Sequence, residues 1–210
     1  MAFDQYSNYA ELVAAEREGV DYSIALLDRQ SPVTIIAPHG GHIEPPTSRL
    51  ALAIAAGDHN AYCFDGLQAD REHHELHITS NNYDEPKGCA LVARSDIVIA
   101  LHGRQDRDAP QSVWIGGLDR ELSHAIALCL RRAGFEAATE GHEFPATAVA
   151  NICNRGRRKK GVQLELPGSL RKILYRDAVV LNRFAIAIRR SITDALSASA
   201  VNGRHATQGR

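Results

Sequence analysis

The sequence predicts a single α/β domain in which helices flank a central, mixed but mostly parallel sheet. Residues 33–37 and 96–101 are strongly hydrophobic, rich in β-branched side chains, and each run is followed within three residues by a histidine and a glycine. Segments of strand character also alternate with segments of helical periodicity, as they do in βαβ units. Because ligands collect at the carboxyl ends of parallel strands, His39 and His102 are expected at the same edge of the sheet.

The pattern along the chain predicts one domain with two flanking segments. We expect a helix-rich lead-in at residues 1–30, the domain at residues 31–198 and a flexible polar tail at residues 199–210. The predicted strands are residues 33–37, 61–64, 76–80, 96–101, 111–116, 135–139 and 161–166. The predicted helices are residues 47–56, 86–94, 118–133 and 170–198, the last as one helix or a broken pair. The polar residues 70–75 are expected to be a solvated surface loop.

Local signals support these boundaries. Thr47 or Ser48 can cap the first predicted helix, and Gly57 follows its end. The helix at residues 118–133 carries apolar side chains three or four positions apart, so one of its faces can pack on the sheet, and Gly134 stops it.

Length and composition limit the class of protein. A chain of 210 residues is long enough for one domain with a sizeable core. The hydrophobic fraction of 44% and charged fraction of 23% are typical of soluble globular proteins, and the net charge of -1 favours no charged partner. The four cysteines are widely spaced, which argues against a disulfide framework. With no secretory signal and no apolar run of ~18 residues, we expect a cytoplasmic protein without membrane contacts.

The loop after the first core strand combines His39 and Glu44 with Gly40 and Gly41. Side chains five residues apart do not share a helix face, so the glycine-rich loop is what allows both to face one point. Imidazole and carboxylate suit zinc, and a catalytic zinc takes three protein ligands and keeps one position open. His102, which follows the second core strand, is the natural third ligand. The alternative is two strand-end histidines bonded to backbone and a solvated glutamate.

Glu165 is the candidate general base. In residues 161–166, Gln163 and Glu165 face away from the apolar side of the strand. A buried acid is costly unless it is paired or functional, and a carboxylate beside activated water can accept a proton and return it to the leaving nitrogen. The alternative is an edge strand with one wet face. His77 is a weaker candidate, either for a contact with substrate or for a hydrogen bond to a metal ligand. The alternative is that His77 is a half-exposed histidine of a strand. His42 could also contact substrate.

A basic segment, residues 151–160, directly precedes the strand of Glu165. Its arginines can bind carboxylates through two parallel hydrogen bonds, and its lysines add diffuse attraction. The predicted substrate contacts in this segment are Asn154, Arg155, Arg157 and Arg158. The alternatives are a solvated loop or a nucleic-acid contact, although the segment has no aromatic residue on which bases could stack.

Six segments of the chain carry a resemblance to a known family: APHGGHIEPPTS, LHITS with YDEP after it, ALVARSD, ALHG, IGGLD and NICNRGRRKKGVQLELP. Over about residues 33–190 the sequence resembles the poly-γ-glutamate hydrolases, zinc enzymes related to bacteriophage proteins. The resemblance implies a zinc-carboxypeptidase-like fold in which His39, Glu44 and His102 bind Zn2+ and Glu165 is the general acid/base. It also implies an anionic polypeptide substrate, poly-γ-glutamate, cut within the chain at γ-amide bonds to degrade a bacterial capsule.

The ligand loop departs from the family pattern at two positions. His42 and Pro46 stand where glycines are expected, and both can reshape the substrate groove. Two other functions stay open at this point: a zinc deacylase or carboxypeptidase acting on small N-acyl amino acids, and a nucleic-acid-binding protein of the phage replication type. The nucleic-acid function gives no reason for the predicted ligands to converge. A poly-γ-glutamate hydrolase encoded by a phage would meet its polymer when the host lyses.

Overall fold

The computed structural model describes residues 4–207, with only the helical backbone given for residues 199–207. The strands are β1 (Tyr22–Leu27), β2 (Val33–Gly41), β3 (Asn60–Gly66), β4 (Ile97–Arg104), β5 (Val113–Gly116), β6 (Ala137–Ala138) and β7 (Val162–Pro167). The α-helices are α1 (Tyr9–Ala15), α2 (Thr47–Ala55), α3 (His73–Leu76), α4 (Pro86–Ala93), α5 (Arg120–Arg132), α6 (Gly168–Arg176) and α7 (Ala178–Thr207). A short 3-10 helix spans Ile152–Arg155.

The seven strands form one mixed sheet in the order β1-β3-β2-β4-β7-β5-β6. The four central strands, β3, β2, β4 and β7, run parallel. β1 pairs antiparallel with β3, and β5 pairs antiparallel with β7. The predicted fold class is confirmed. Because β2, β4 and β7 share one direction, His39, His102 and Glu165 lie toward the same edge of the sheet.

Both faces of the sheet are covered, which explains why its central strands are continuously hydrophobic. Neighbouring residues of β2 alternate between the two faces: Ile35 belongs to the core cluster with α2, α5, α6 and α7, and Ile36 to the cluster on the other face. Tyr62, Phe64 and Tyr83 are the large buried side chains of that second cluster. In this way the central strands are held in place and can position side chains at their ends.

The structure differs from the sequence prediction in four places, the first being that α3 begins at His73, inside the surface loop expected at residues 70–75. β1 lies within the expected helical lead-in, because pairing with β3 provides backbone hydrogen bonds that a local pattern does not show. The strand expected at residues 76–80 does not form: Leu76 ends α3, and residues 77–80 are a loop. α7 continues to Thr207, so residues 199–207 are helical and residues 208–210 lie outside the described part of the chain.

The C-terminal helical region is a broken pair. α6 ends before Asp177, whose carboxylate accepts hydrogen bonds from the backbone N–H groups of Val179 and Val180 and so caps α7. Among the helices of residues 4–207, none combines the length and apolarity needed to cross a membrane.

Candidate metal centre and active site

The end of β2 places the first two site residues. β2 continues to Gly41 with a register shift against β3 between Ala37 and Gly40, so His39 stands at an irregular point of the strand. A Cβ at Gly40 would collide with Ser48 Oγ and Asp65 Oδ1, and Gly41 has φ +59° against the backbone of Gly66. Only glycine fits this close turn, and the turn brings Glu44 back toward the strand ends.

The structure brings the three predicted ligands together. His39 Nδ1 lies 3.1 Å from His102 Nδ1, and Glu44 Oε2 lies 3.5 Å from the first nitrogen and 3.8 Å from the second. All three side chains are buried. Bond lengths of about 2.0–2.1 Å to a tetrahedral zinc imply ligand atoms about 3.3 Å apart, which the observed triangle matches. The donor set of two imidazoles and one carboxylate also fits zinc.

The outer polar atoms of the triangle are already engaged. His39 Nε2 donates to the carbonyl of Ile78 over 2.8 Å, and because a carbonyl can only accept, the proton of a neutral His39 is on Nε2 and the lone pair on Nδ1. His102 Nε2 lies 3.2 Å from Ser80 Oγ. The outer oxygen of Glu44, Oε1, lies 3.1 Å from His73 Nε2, and Oε2 accepts from the backbone N–H of Gly103 over 2.8 Å with one of its two lone pairs, which leaves the other for a metal. Such partners orient metal ligands, so the free atoms of the triangle are aimed at one point.

His77 stands beside the triangle. One ligand atom each of His39, Glu44 and His77 lie within 4.8 Å of one another, so His77 is an alternative third ligand. However, the ring of His77 stacks on His39 with centroids 3.9 Å apart, and its Nδ1 is bonded to Asp4 Oδ1 over 2.6 Å. We therefore favour His102, whose Nδ1 faces both other ligands.

His73 is a site residue that the sequence analysis missed. Its Nε2 lies 3.1 Å from Glu44 Oε1, although its side chain is half exposed. The spacing of His73 and His77, four residues apart across α3, is the sequence signal that could have placed both on one side, and their rings are 4.5 Å apart.

The pKa values of the two carboxyl groups of the site are displaced in opposite directions. Burial raises the pKa of Glu44, but its contacts with His39, His73 and His102 outweigh burial and hold the pKa well below its ordinary value. Burial, together with the charge of Glu44, raises the pKa of Glu165 from 4.5 to about 8. Burial and then His39 lower the pKa of His102 from 6.5 to about 3, which keeps its imidazole neutral. Two carboxyl groups with separated pKa values can serve as ligand and as proton carrier.

Glu165 lies beside the triangle on a central strand. β7 is flanked by β4 and β5, and Glu165 is in register with His102, so the alternative of a wet edge strand does not hold. The amide of Gln163 donates to Glu165 Oε1 over 2.8 Å, and Asn151 Nδ2 donates to Gln163 Oε1 over 2.8 Å. This buried chain of hydrogen bonds orients the carboxyl group toward the cleft.

A cleft of about 890 Å³ opens over these residues. Glu44, His77, His102 and Glu165 line it. Its arginines are Arg104, Arg107 and Arg171, which the sequence analysis did not select.

Within the described part of the chain, the predicted substrate contacts Arg155, Arg157, Arg158, Asn154 and His42 do not line the cleft. The chain direction explains this for the segment before β7. Residues directly before a parallel strand lie at its amino end, which is the edge opposite to the carboxyl ends of β2 and β4. The structure therefore does not bring the arginines of the basic segment to the cleft, although Asn151 at the start of the segment lines it.

The contacts of these side chains agree with that placement. Arg157 pairs with Asp96 at the start of β4, and Arg158 pairs with Asp119, the N-cap of α5. Asn154 is buried, and its Oδ1 accepts from the backbone N–H groups at residues 118 and 161. Its polar atoms bond to the backbone of neighbouring loops, and the side chain does not line the cleft.

Arg155 and His42 were also expected to contact substrate, and the structure gives both of them other contacts. Arg155 donates to the carbonyls of Ala150, Ser80 and Asn81, so it fastens the loops behind the cleft. His42 is exposed, and its backbone N–H donates to the carbonyl of Gly66.

The chain is similar to known proteins both in sequence and in structure. Residues 6–193 match the family model described as poly-gamma-glutamate hydrolase. The SPbeta prophage-derived protein YoqZ of Bacillus subtilis is 36% identical over 191 residues, which cover 90% of this chain and 66% of YoqZ. A bacteriophage poly-gamma-glutamate hydrolase structure matches with a TM-score of 0.86 at 29% identity, covering 92% of this chain and 99% of that one. The zinc-free apo form of YndL matches with a TM-score of 0.82 at 29% identity, covering 91% and 98%.

A more distant structure supports the fold alone. A candidate carboxypeptidase from Burkholderia mallei matches with a TM-score of 0.52 at 14% identity, covering 90% of this chain and 67% of that one. The predicted carboxypeptidase-like architecture is therefore confirmed.

Proposed function

The chain belongs to the poly-γ-glutamate hydrolase family, and from that premise we propose that it is a zinc-dependent hydrolase that cleaves γ-glutamyl amide bonds within poly-γ-glutamate chains. The observation that carries the proposal is the buried triangle of His39 Nδ1, His102 Nδ1 and Glu44 Oε2, with sides of 3.1, 3.5 and 3.8 Å. Glu165, on the neighbouring strand, lines the same cleft. The chain spans 66% of YoqZ, so the activity is proposed for this domain.

In this proposal His39, Glu44 and His102 hold the zinc. The neutral imidazoles and the ionised carboxylate are the forms that bind metal, and the pKa values of His102 and Glu44 are displaced in that direction. Bound zinc supplies Lewis acidity, which polarises a carbonyl and makes water a stronger acid. His77 is the alternative ligand, and variants of the two histidines distinguish them.

Glu165 is the proposed proton carrier. Its carboxyl group takes a proton from the attacking water and donates one to the nitrogen that leaves from the amide. A pKa of about 8 in the metal-free chain, raised by burial and by Glu44, lies close enough to neutrality for both steps. Gln163, anchored by Asn151, keeps Oε1 of Glu165 occupied and so aims the other oxygen at the cleft.

The substrate carboxylates are assigned to the arginines of the cleft and not to the basic segment before β7. Arg104 is unsuited, because its guanidinium donates to four backbone carbonyls, at residues 105, 106, 109 and 112, and lies over the ring of Trp114. Arg107 and Arg171 are less occupied: Arg171 donates to two carbonyls, of Pro45 and Arg104, and its buried Nε has no hydrogen-bond partner among the described residues. Arg107 lines the cleft in an ion pair with Glu143, a carboxylate that a substrate carboxylate can replace.

The test is hydrolysis by the purified chain with and without added zinc. We expect cleavage of long γ-glutamyl polymers into fragments of intermediate length, and loss of turnover by ~10²-fold or more in Glu165→Gln with its zinc content unchanged. Preference for single N-acyl amino acids would favour the deacylase function instead. DNA binding without hydrolysis would favour the nucleic-acid function, which the pairing of Arg157 and Arg158 with acidic residues does not support.

A further inference from the structure

We propose that Asp4, in the N-terminal segment, is a positioning residue for the metal centre: it clamps the loop of residues 77–80, and that loop orients both His39 and His102. The inference rests on the proposed zinc site for its functional meaning. Asp4 is far from both histidines in sequence and contacts neither of them in the described hydrogen-bond pattern. Its effect would pass through the loop.

Loop 77–80 is shared by two ligands that come from different strands. Its Ile78 carbonyl accepts from His39 Nε2 over 2.8 Å, and its Ser80 Oγ lies 3.2 Å from His102 Nε2. A displacement of this one loop would therefore move the outer partners of both imidazoles at once. Because those partners set which nitrogen is free and how each ring is turned, the loop determines whether the two Nδ1 atoms meet at one point.

Few backbone bonds hold the loop: residues 77–80 have no strand pairing in the described part of the chain, and the backbone N–H of Ile152 donates to the carbonyl of Ser80 over 2.9 Å at its C-terminal end. Asp4 uses both carboxylate oxygens to hold it. Oδ1 is 2.6 Å from His77 Nδ1, and Oδ2 accepts from the backbone N–H of Thr79 over 2.7 Å. Asp4 therefore holds residues 77 and 79, while residues 78 and 80 hold the two histidines.

Neighbouring contacts show that Asp4 belongs to a longer attachment. The backbone N–H of Gln5 donates to the carbonyl of His74 over 3.0 Å, and that of Tyr9 donates to Asp84 Oδ1 over 2.6 Å. The N-terminal segment thus follows the chain on both sides of the loop. Arg155 holds the C-terminal end of the loop through the carbonyls of Ser80 and Asn81.

The experiment compares Asp4→Ala and Asp4→Asn with Asp28→Ala. Asp28 is a matched control because its carboxylate forms an ion pair with Arg94, outside the lining of the cleft. Zinc dissociation constants are measured by competition with a chelator, and metal-free thermal unfolding is recorded for each variant. We expect Asp4→Ala to weaken zinc binding about 10-fold, the lower end of the range for groups bonded directly to metal ligands because Asp4 acts through the loop, and Asp28→Ala to stay within twofold of wild type. Asp4→Asn should be intermediate, because one amide oxygen can accept one of the two bonds.

A second readout separates this inference from the proposed function. Imidazole 15N spectra of the metal-free chain report which ring nitrogen of His39 carries the proton, and wild type should show Nε2–H. Asp4→Ala should mix the two tautomers, whereas Asp28→Ala should not. Zinc affinity within twofold of wild type in Asp4→Ala would overturn the clamp. If wild type binds no zinc, the metal site itself is wrong, and an unchanged His39 spectrum in Asp4→Ala would then overturn the clamp independently.

Discussion

The raised pKa of Glu165 predicts that this residue contributes stability to the metal-free protein at low pH and that the contribution is lost as the pH rises, a loss that Glu165→Gln abolishes. Glu165 is buried, and the charge of Glu44 adds to the effect of burial in raising the pKa from 4.5 to about 8. A group whose pKa is higher in the folded than in the unfolded chain binds its proton more tightly when folded. Its contribution to stability is complete below pH 4.5 and is lost as the pH rises to 8.

The size of the effect follows from the two pKa values. One pKa unit corresponds to about 1.4 kcal/mol, so the displacement from 4.5 to about 8 corresponds to roughly 5 kcal/mol of unfolding free energy. This is a large part of the stability of a typical domain, about 5–15 kcal/mol. Glutamine has nearly the same shape but carries no titrating proton, so the variant should keep the stability that wild type has only at low pH.

The assay is denaturant unfolding of the chelator-treated protein between pH 4.5 and 8.5, in wild type and Glu165→Gln. The difference in unfolding free energy between the two should change by several kcal/mol across this range, with wild type becoming the less stable protein. Comparing the two chains cancels the titration of the histidines, which both contain. Glu72→Gln, which alters an exposed carboxylate of the cleft, is the control and should follow wild type. Parallel curves for wild type and Glu165→Gln would refute the reasoning.

Three other predictions test the ligands, the cleft arginines and the ligand loop. His102→Ala should release the zinc and abolish hydrolysis while His77→Ala retains it, and elemental analysis showing the reverse would make His77 the third ligand. Arg107→Ala should raise KM for γ-glutamyl polymers about tenfold, whereas Arg157→Ala, at the opposite edge of the sheet, should leave KM unchanged; equal effects in steady-state kinetics would contradict the placement. Gly40→Ala should lower stability by about 1–3 kcal/mol in denaturant titrations, because its Cβ collides with Ser48 and Asp65.

The sequence alone determined the strands whose hydrophobic pattern is visible in their own residues. The β-branched runs at residues 33–37 and 96–101 form buried central strands, since a continuous apolar segment of that length is stable only with both faces covered. Chain direction then predicted that His39 and His102 meet at one edge. The alternation of residues 161–166 likewise put Glu165 on the face that the structure turns to the cleft.

Only the tertiary structure decided which atoms meet. No local pattern indicates that Ile78 and Ser80 hold the outer nitrogens of two histidines, or that Asp4 holds the loop between them. The structure does not bring the predicted arginines to the cleft, because the segment directly before β7 lies at the amino end of that strand, where Arg157 pairs with Asp96. β1 was missed for a related reason, because a strand at an edge is stabilised by its partner, and that partner is specified only when the sheet assembles.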